Sequence, residues 1–273
     1  MAYFEAFWLG AVQGLTEFLP VSSSGHLAVF PHIIASESEL IHSLAFDVFI
    51  HGGTLLAVLF YFRKRIMVLA SVFFCGLVLP EKRKNPDFKM AVYIVIATLP
   101  AVFAALLFKD FIESSLRGAS SVGVNLIVFG ILLFAADKIG KKKKGFYEIG
   151  MKAAAIIGVF QAIALMPGVS RSGITITAAL FLGYARKDSA EFSFLLSIPA
   201  ILGAFIFTLP ELADGFGGNA GVLAVGFVVS AVSGFFAIKF MLGFVSRHSY
   251  NVFVIYRIML GIFIILFIAG SRG

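Results

Sequence analysis

Six stretches of this chain, roughly residues 44–62, 89–108, 119–137, 188–209, 220–243 and 250–270, are predominantly apolar. Each reaches the length of about 20 residues that crosses a bilayer as a helix. Backbone carried through lipid must satisfy its own hydrogen bonds, so helices are expected in all six. Composition agrees, with 60% hydrophobic and 14% charged residues and a mean hydropathy of +0.99. Soluble domains carry about a quarter charged residues, and a surface this apolar needs lipid as its solvent. The expectation is an all-α polytopic membrane protein, a single integral membrane domain over residues 1–273 in contact with membrane lipids.

Two further apolar segments, about 5–34 and 153–184, are broken near their middles by Pro, Gly and Ser. Each reads as a re-entrant pair of half-helices that enters and leaves by one face. Irregular backbone survives at membrane depth only when buried in protein or lining a wet cavity. Glu5 precedes the first apolar run, and Gln13, Thr16 and Glu17 interrupt it. That is not the pattern of a cleavable signal peptide.

The basic residues test this layout. With both broken segments re-entrant, one side receives Arg63–Arg65, Lys82–Lys84, Lys89, Lys138, Lys141–Lys144, Lys152, Arg186, Lys187, Lys239 and Arg247, 17 of the 22 Lys and Arg. The other side has Lys109, Arg117 and Arg272, with Glu37, Glu39, Glu211 and Asp214 among them. Such a bias places the basic loops in the cytoplasm and both termini outside. The net charge of +7 is thus spent on topology, and nucleic acid is not an expected partner. Cys75 is the single cysteine, which excludes an intrachain disulfide and a Cys-based metal site.

The broken segments resemble each other at a constant offset. Gly10-Ala-Val-Gln13 matches Gly158-Val-Phe-Gln161, and Val21-Ser22-Ser23-Ser24-Gly25 matches Val169-Ser170-Arg171-Ser172-Gly173. Pro20 and Pro167 sit at nearly equivalent places, and the next span opens with Phe46-Asp47 in one half and Glu191-Phe192 in the other. Each half, about 1–140 and 150–273, reads as one re-entrant pair plus three spans. Three is odd, so the second half is inverted relative to the first. Inverted repeats with broken helices point to a central binding site.

In the first motif Gln13 and Glu17 are four apart and share a helical face. Pro20 disfavours helix at Leu19, and Ser22 or Ser23 is placed to cap the returning half-helix. The free amides of such a helix start attract anions. His26 lies three residues beyond Ser23; it either serves chemistry or simply pairs with Glu17 in a polar hinge. In the second motif, Pro167-Gly168-Val-Ser170-Arg171-Ser172-Gly-Ile-Thr175, a guanidinium joins the break. Its fork of donors suits phosphate oxygens, although Glu17 is an alternative partner. Hydroxyls, amides and Arg171 would hold a phosphate, a serine beside Glu17 and His26 would attack it, and Glu17 is a candidate Mg²⁺ or Ca²⁺ ligand.

These motifs resemble the undecaprenyl pyrophosphate phosphatase family of the bacitracin-resistance BacA type. The family's Glu or Gln, three residues, then Glu corresponds to Gln13 to Glu17, and its Ser-Ser-x-Gly-His to Ser22 to His26. Its Pro-Gly-x-Ser-Arg-Ser-x-x-Thr corresponds to Pro167 to Thr175. Position 13 departs from many members, where a Glu stands. The resemblance implies release of the terminal phosphate of undecaprenyl pyrophosphate at the outer face of the bacterial cytoplasmic membrane, recycling the peptidoglycan lipid carrier. It also implies a divalent metal, Mg²⁺ or Ca²⁺, and a homodimer. Catalytic weight falls on Glu17, Ser23, His26 and Arg171, with Ser23 preferred over His26 as nucleophile. Gln13, Ser22, Ser24, Ser170, Ser172 and Thr175 fall to substrate binding.

The rival reading is a lipid or anion transporter or flippase, since inverted repeats with half-helices are also a carrier architecture. Other polar residues are weaker candidates. His51 in Ile50-His51-Gly-Gly either flanks the site or packs as a satisfied histidine. Arg257 is expected to snorkel to the inner face. His32, His42 and His248 carry no recognisable metal spacing.

Overall fold

A computed structural model describes residues 2–27, 43–115, 118–215 and 219–271. His32, His42, Glu37, Glu39, Arg117 and Arg272 lie outside them. The described chain is helical, with one isolated bridge between Lys144 and Tyr184. The helices are α1 (Ala2–Phe18), α2 (residues 23–27), α3 (Leu44–Tyr61), α4 (Arg63–Val78), α5 (Pro86–Ser115) and α6 (Ala119–Ile139). They continue as α7 (Met151–Ile163), α8 (Arg171–Phe181), α9 (Arg186–Gly215), α10 (Ala220–Val245) and α11 (Asn251–Ser271).

Among the described residues four stretches are long and apolar enough to cross a membrane: Pro86–Phe108, Ser120–Ile139, Arg186–Ile206 and Ala220–Val245. Phe46–Tyr61 and Asn251–Leu266, from two further expected spans, are shorter apolar helices over the residues described. The chain is therefore a multi-pass helical membrane protein. Its outer surface agrees: Phe103, Leu107, Ile131, Val228, Phe240 and Met259 are all more than half exposed. Only lipid accepts so much exposed apolar surface.

Helix α4 is not among the expected spans. Its 16 residues begin with Arg63-Lys64-Arg65, and at about 1.5 Å per residue they fall short of the roughly 30 Å apolar layer. Met67, Phe74 and Val78 are exposed along it. Charge at one end and modest length hide such a helix from a search for full spans.

Both breaks expected from Pro and Ser are present. Helix α1 stops at Phe18, a turn follows with Val21 N donating to Leu19 O at 2.8 Å, and helix resumes at residue 23. Helices α7 and α8 form a hairpin whose entry and exit lie together. Tyr184 Oη donates to Glu148 O at 3.1 Å, and the amides of Lys143 and Lys144 donate to Gly183 O at 3.0 and 3.1 Å.

Packing pairs early and late elements of the chain reciprocally. Helix α1 lies on α10 while α7 lies on α5, α3 on α10 while α9 on α5, and α3 meets α9 as α6 meets α11. Glycine permits the closest crossings. Gly10 lies against the backbone of Gly226, and a Cβ on Gly158 would stand 2.7 Å from Ala97 O. Small residues let membrane helices approach at van der Waals distance, which drives association when lipid is as apolar as the side chains.

At the end of the molecule bearing the basic loops, Asp137 is buried. It accepts two bonds from Arg186, at 2.6 and 3.1 Å, and one from Tyr250 N at 3.1 Å, while Lys142 Nζ donates to its carbonyl. This ties α6, α9 and the start of α11.

Candidate active site

The two breaks face each other, and their serines adopt the same unusual backbone. Ser22 has φ 73° and Ser170 φ 71°, a left-handed conformation costing a non-glycine residue about 1–3 kcal/mol. Each uses it to cap the following helix: Ser22 Oγ accepts from Gly25 N at 3.3 Å and Ser170 Oγ from Gly173 N at 3.1 Å. Each also meets the hydroxyl two residues on, Ser24 at 3.1 Å and Ser172 at 3.3 Å. Gly168, at φ 90°, makes the second turn and has no room for a Cβ, which would lie 2.5 Å from Val122 O.

Side chains stitch the breaks together. Gly168 N donates to Ser24 Oγ at 3.3 Å, Ser172 Oγ to Leu19 O at 3.1 Å, and Asn125 Nδ2 to Pro167 O at 2.8 Å. These bonds satisfy backbone groups that lipid cannot.

Between the breaks lies a cavity of about 140 Å³ lined by Glu17, Ser23, Ser24, His51, Ala164, Ser170 and Arg171. Glu17 is its centre and is 7% exposed. Arg171 Nη2 donates to Glu17 Oε1 at 2.8 Å. On the other oxygen, Ser23 Oγ donates at 2.7 Å and Gln13 Nε2 at 3.1 Å, with His51 Nε2 at 3.5 Å. The second nitrogen of Arg171 donates to Ser193 O at 3.1 Å. Ser170 and Arg171, at the start of α8, line the cavity, so a guanidinium and the positive end of a helix stand on its wall beside one carboxylate, a balance that favours an entering anion. The carboxylate also sits in line to take the proton of Ser23.

Several expected site residues do not line this cavity. His26 turns to α11: its Nδ1 meets Ser22 O at 2.8 Å, its Nε2 meets Tyr256 Oη at 2.6 Å, and the two rings stack. The histidine beside Glu17 is His51. Ser172 is fully buried, and Thr175 Oγ1 contacts Ser193 Oγ at 2.7 Å and Arg171 O at 2.8 Å. Both hold α8 in place rather than face the cavity. Ser22 is a cap, and Gln13 stands behind Glu17.

Arg257 does not snorkel. It is 0% exposed and donates only to main-chain carbonyls, among them Pro20 O at 3.3 Å and Val169 O at 2.8 Å. Carbonyls orphaned by the two breaks hold the guanidinium more strongly than a distant interface. Its one legible signal was a charge within an apolar segment. Ser193 gave none, because a serine on a membrane helix is commonplace.

A family model described as "Bacitracin resistance protein BacA" matches residues 6–263. The Undecaprenyl-diphosphatase of Alcanivorax borkumensis is 44% identical over 270 residues, covering 98% of this chain and 100% of the relative. That of Aliivibrio salmonicida is 44% identical over 271 residues, covering 98% and 99%. That of Elusimicrobium minutum is 44% identical over 268 residues, covering 97% and 98%.

Proposed function

The chain belongs to the bacitracin resistance protein BacA family, and from that premise we infer that it hydrolyses undecaprenyl diphosphate to undecaprenyl phosphate and inorganic phosphate. The observation that carries the reading is Glu17, bonded at once to a serine hydroxyl and a guanidinium inside one cavity. The carrier alternative has no support beside relatives named as diphosphatases, and a carrier needs no hydroxyl paired with a base.

In this reading the polyprenyl tail stays in lipid and the diphosphate enters the cavity. Arg171 shares its fork between Glu17 and phosphate oxygens, where a planar pair of donors matches the charge spread over them. Ser23 Oγ attacks the terminal phosphorus as Glu17 takes its proton. The bond to the bridging oxygen breaks, and undecaprenyl phosphate leaves. Water then attacks the phosphoserine, giving up a proton to the site, and inorganic phosphate departs with Ser23 restored. Ser170 and Ser24 supply hydroxyls at the cavity wall.

A divalent cation fits this donor set only in part. Among the described residues no group of three or more His, Cys, Asp or Glu side chains gathers. Glu17 would be one hard oxygen ligand on the cavity wall, whereas Gln13 Oε1, a buried oxygen with no hydrogen-bond partner among the described residues, stands outside that lining. Mg²⁺ bound by one or two protein oxygens together with substrate phosphates needs no more. When bound it would neutralise phosphate charge.

The finer layout belongs to the same reading: six spans with two re-entrant pairs, inverted halves of about 1–140 and 150–273, and a homodimer in the bacterial cytoplasmic membrane. The reciprocal packing of the halves and the meeting of Glu148 with Tyr184 support the first two. The bias of basic loops supports a cavity opening outward. The test is phosphate release from undecaprenyl diphosphate by purified protein in detergent with divalent metal present. Release above a boiled control is expected, and its absence overturns the reading.

A further inference from the structure

The most deeply buried cation among the described residues has no place in the chemistry above. Arg257, on α11, is completely buried. Its Nε donates to Leu126 O at 3.2 Å, Nη1 to Pro20 O at 3.3 Å, and Nη2 to Gly168 O at 3.1 Å and Val169 O at 2.8 Å. All four acceptors are main-chain carbonyls on three separate segments. Burying a full charge against neutral acceptors is expensive, and in a membrane interior such a residue is a functional candidate by default.

Where those carbonyls lie is the informative point. Pro20 O belongs to the first break, three residues before Ser23. Gly168 O and Val169 O belong to the second, two or three residues before Arg171. One planar fork therefore spans both breaks directly behind the pair that meets on Glu17. Val169 O immediately precedes Ser170, whose left-handed φ starts α8. The first turn of α8 is pressed against the same group, since a Cβ on Gly173 would lie 2.7 Å from Arg257 Nη1.

We propose that Arg257 is the positioning residue of the phosphatase site, fixing the two breaks to each other so that Ser23 and Arg171 converge on Glu17. It acts through backbone and does not touch substrate. Lysine cannot replace it, because three donors radiating from one nitrogen do not reach carbonyls on three segments as a planar fork does. A displacement of about 1 Å at a reacting pair costs on the order of 100-fold in rate. The proposal rests on the phosphatase reading, and wild-type activity, measured alongside, separates the two.

The experiment compares wild type, Arg257→Lys, Arg171→Lys and the double variant in phosphate release, with melting temperature recorded for each. Arg257→Lys is expected to lose about 10- to 100-fold in kcat, with KM changed less than threefold. In the Arg171→Lys background the same change is expected to cost less than threefold, because the geometry it protects is already lost. An inactive wild type sinks the phosphatase reading itself. With wild type active, unchanged kcat in Arg257→Lys, or full additivity in the double variant, overturns the positioning role. Should Arg257→Lys not accumulate folded, Arg257→Gln, which keeps two donors, takes its place under the same criteria. Failure of both to fold would make Arg257 a purely stabilising group and overturn the assignment.

Discussion

Ser23 and Arg171 stand at equivalent places in the two matching motifs, and they bind opposite oxygens of one carboxylate, Glu17, at 2.7 and 2.8 Å. A position duplicated in sequence has taken one hydroxyl and one guanidinium. Both converge on one cavity. In the proposed mechanism each motif takes a different part of phosphoryl transfer, and each part is testable.

Replacing Glu17 by Gln keeps the shape and removes the proton acceptor. General-base loss costs about 100- to 10,000-fold in rate. We expect a fall in kcat within that range with the protein still folded, read by phosphate release and thermal melting. Wild-type kcat in Glu17→Gln would remove the carboxylate from the mechanism.

Arg171→Lys preserves charge but gives up the two-pronged contact. The expected result is a loss of about 10- to 100-fold in kcat/KM, since one directional charged hydrogen bond is worth about 1.5–3 kcal/mol. Arg171→Ala should lose more. Full activity in Arg171→Ala would refute the phosphate clamp.

The nucleophile can be identified by the stability of a trapped phosphoenzyme. Attack by Ser23 leaves a phosphate ester that survives acid, whereas attack by a histidine leaves an acid-labile phosphoramidate. Acid-stable label on the wild type, absent from Ser23→Ala, is the expected outcome. His26→Ala should retain label, because both ring nitrogens of His26 are engaged away from the cavity. Acid-labile label would move the role to a histidine, His51 first.

Asp137→Asn tests a tie remote from the cavity. It removes the charge that Arg186 and Lys142 face, and Arg186 is only 29% exposed. Allowing for that exposure, we expect a loss of about 1–3 kcal/mol, seen as a lower melting temperature in detergent. The kcat of the folded fraction should not change. An unaltered melting temperature would show the tie contributes nothing.

Much of this architecture is written locally. Apolar length marks spans, and Pro20 and Pro167 with their following serines mark breaks, because each effect acts on the residue's own backbone or the next turn. The offset between Ser22 and Ser170 is legible for the same reason, and both proved to share one strained conformation and one capping bond. Helix α4 was less visible, since a basic start and 16 residues resemble a loop flank as much as a helix.

The partners of the polar groups are another matter. From sequence, His26 and His51 are both intramembrane histidines near a motif, and spacing favours His26. Only the packing of α3 on α9 and α11 on α6 turns His51 toward Glu17 and His26 toward Tyr256. Arg257 looks like an anchor close to an interface until two carbonyl-rich breaks are found beside it. Sequence by itself therefore determined that this chain lives in lipid, where its helices break, and which residue types gather there, all consequences of short-range chemistry. Tertiary structure alone decided which of those side chains face one another. That choice depends on the rotation and crossing of whole helices, such as the close approach of Gly123 to Gly261 that joins α6 to α11, and no local spacing encodes it.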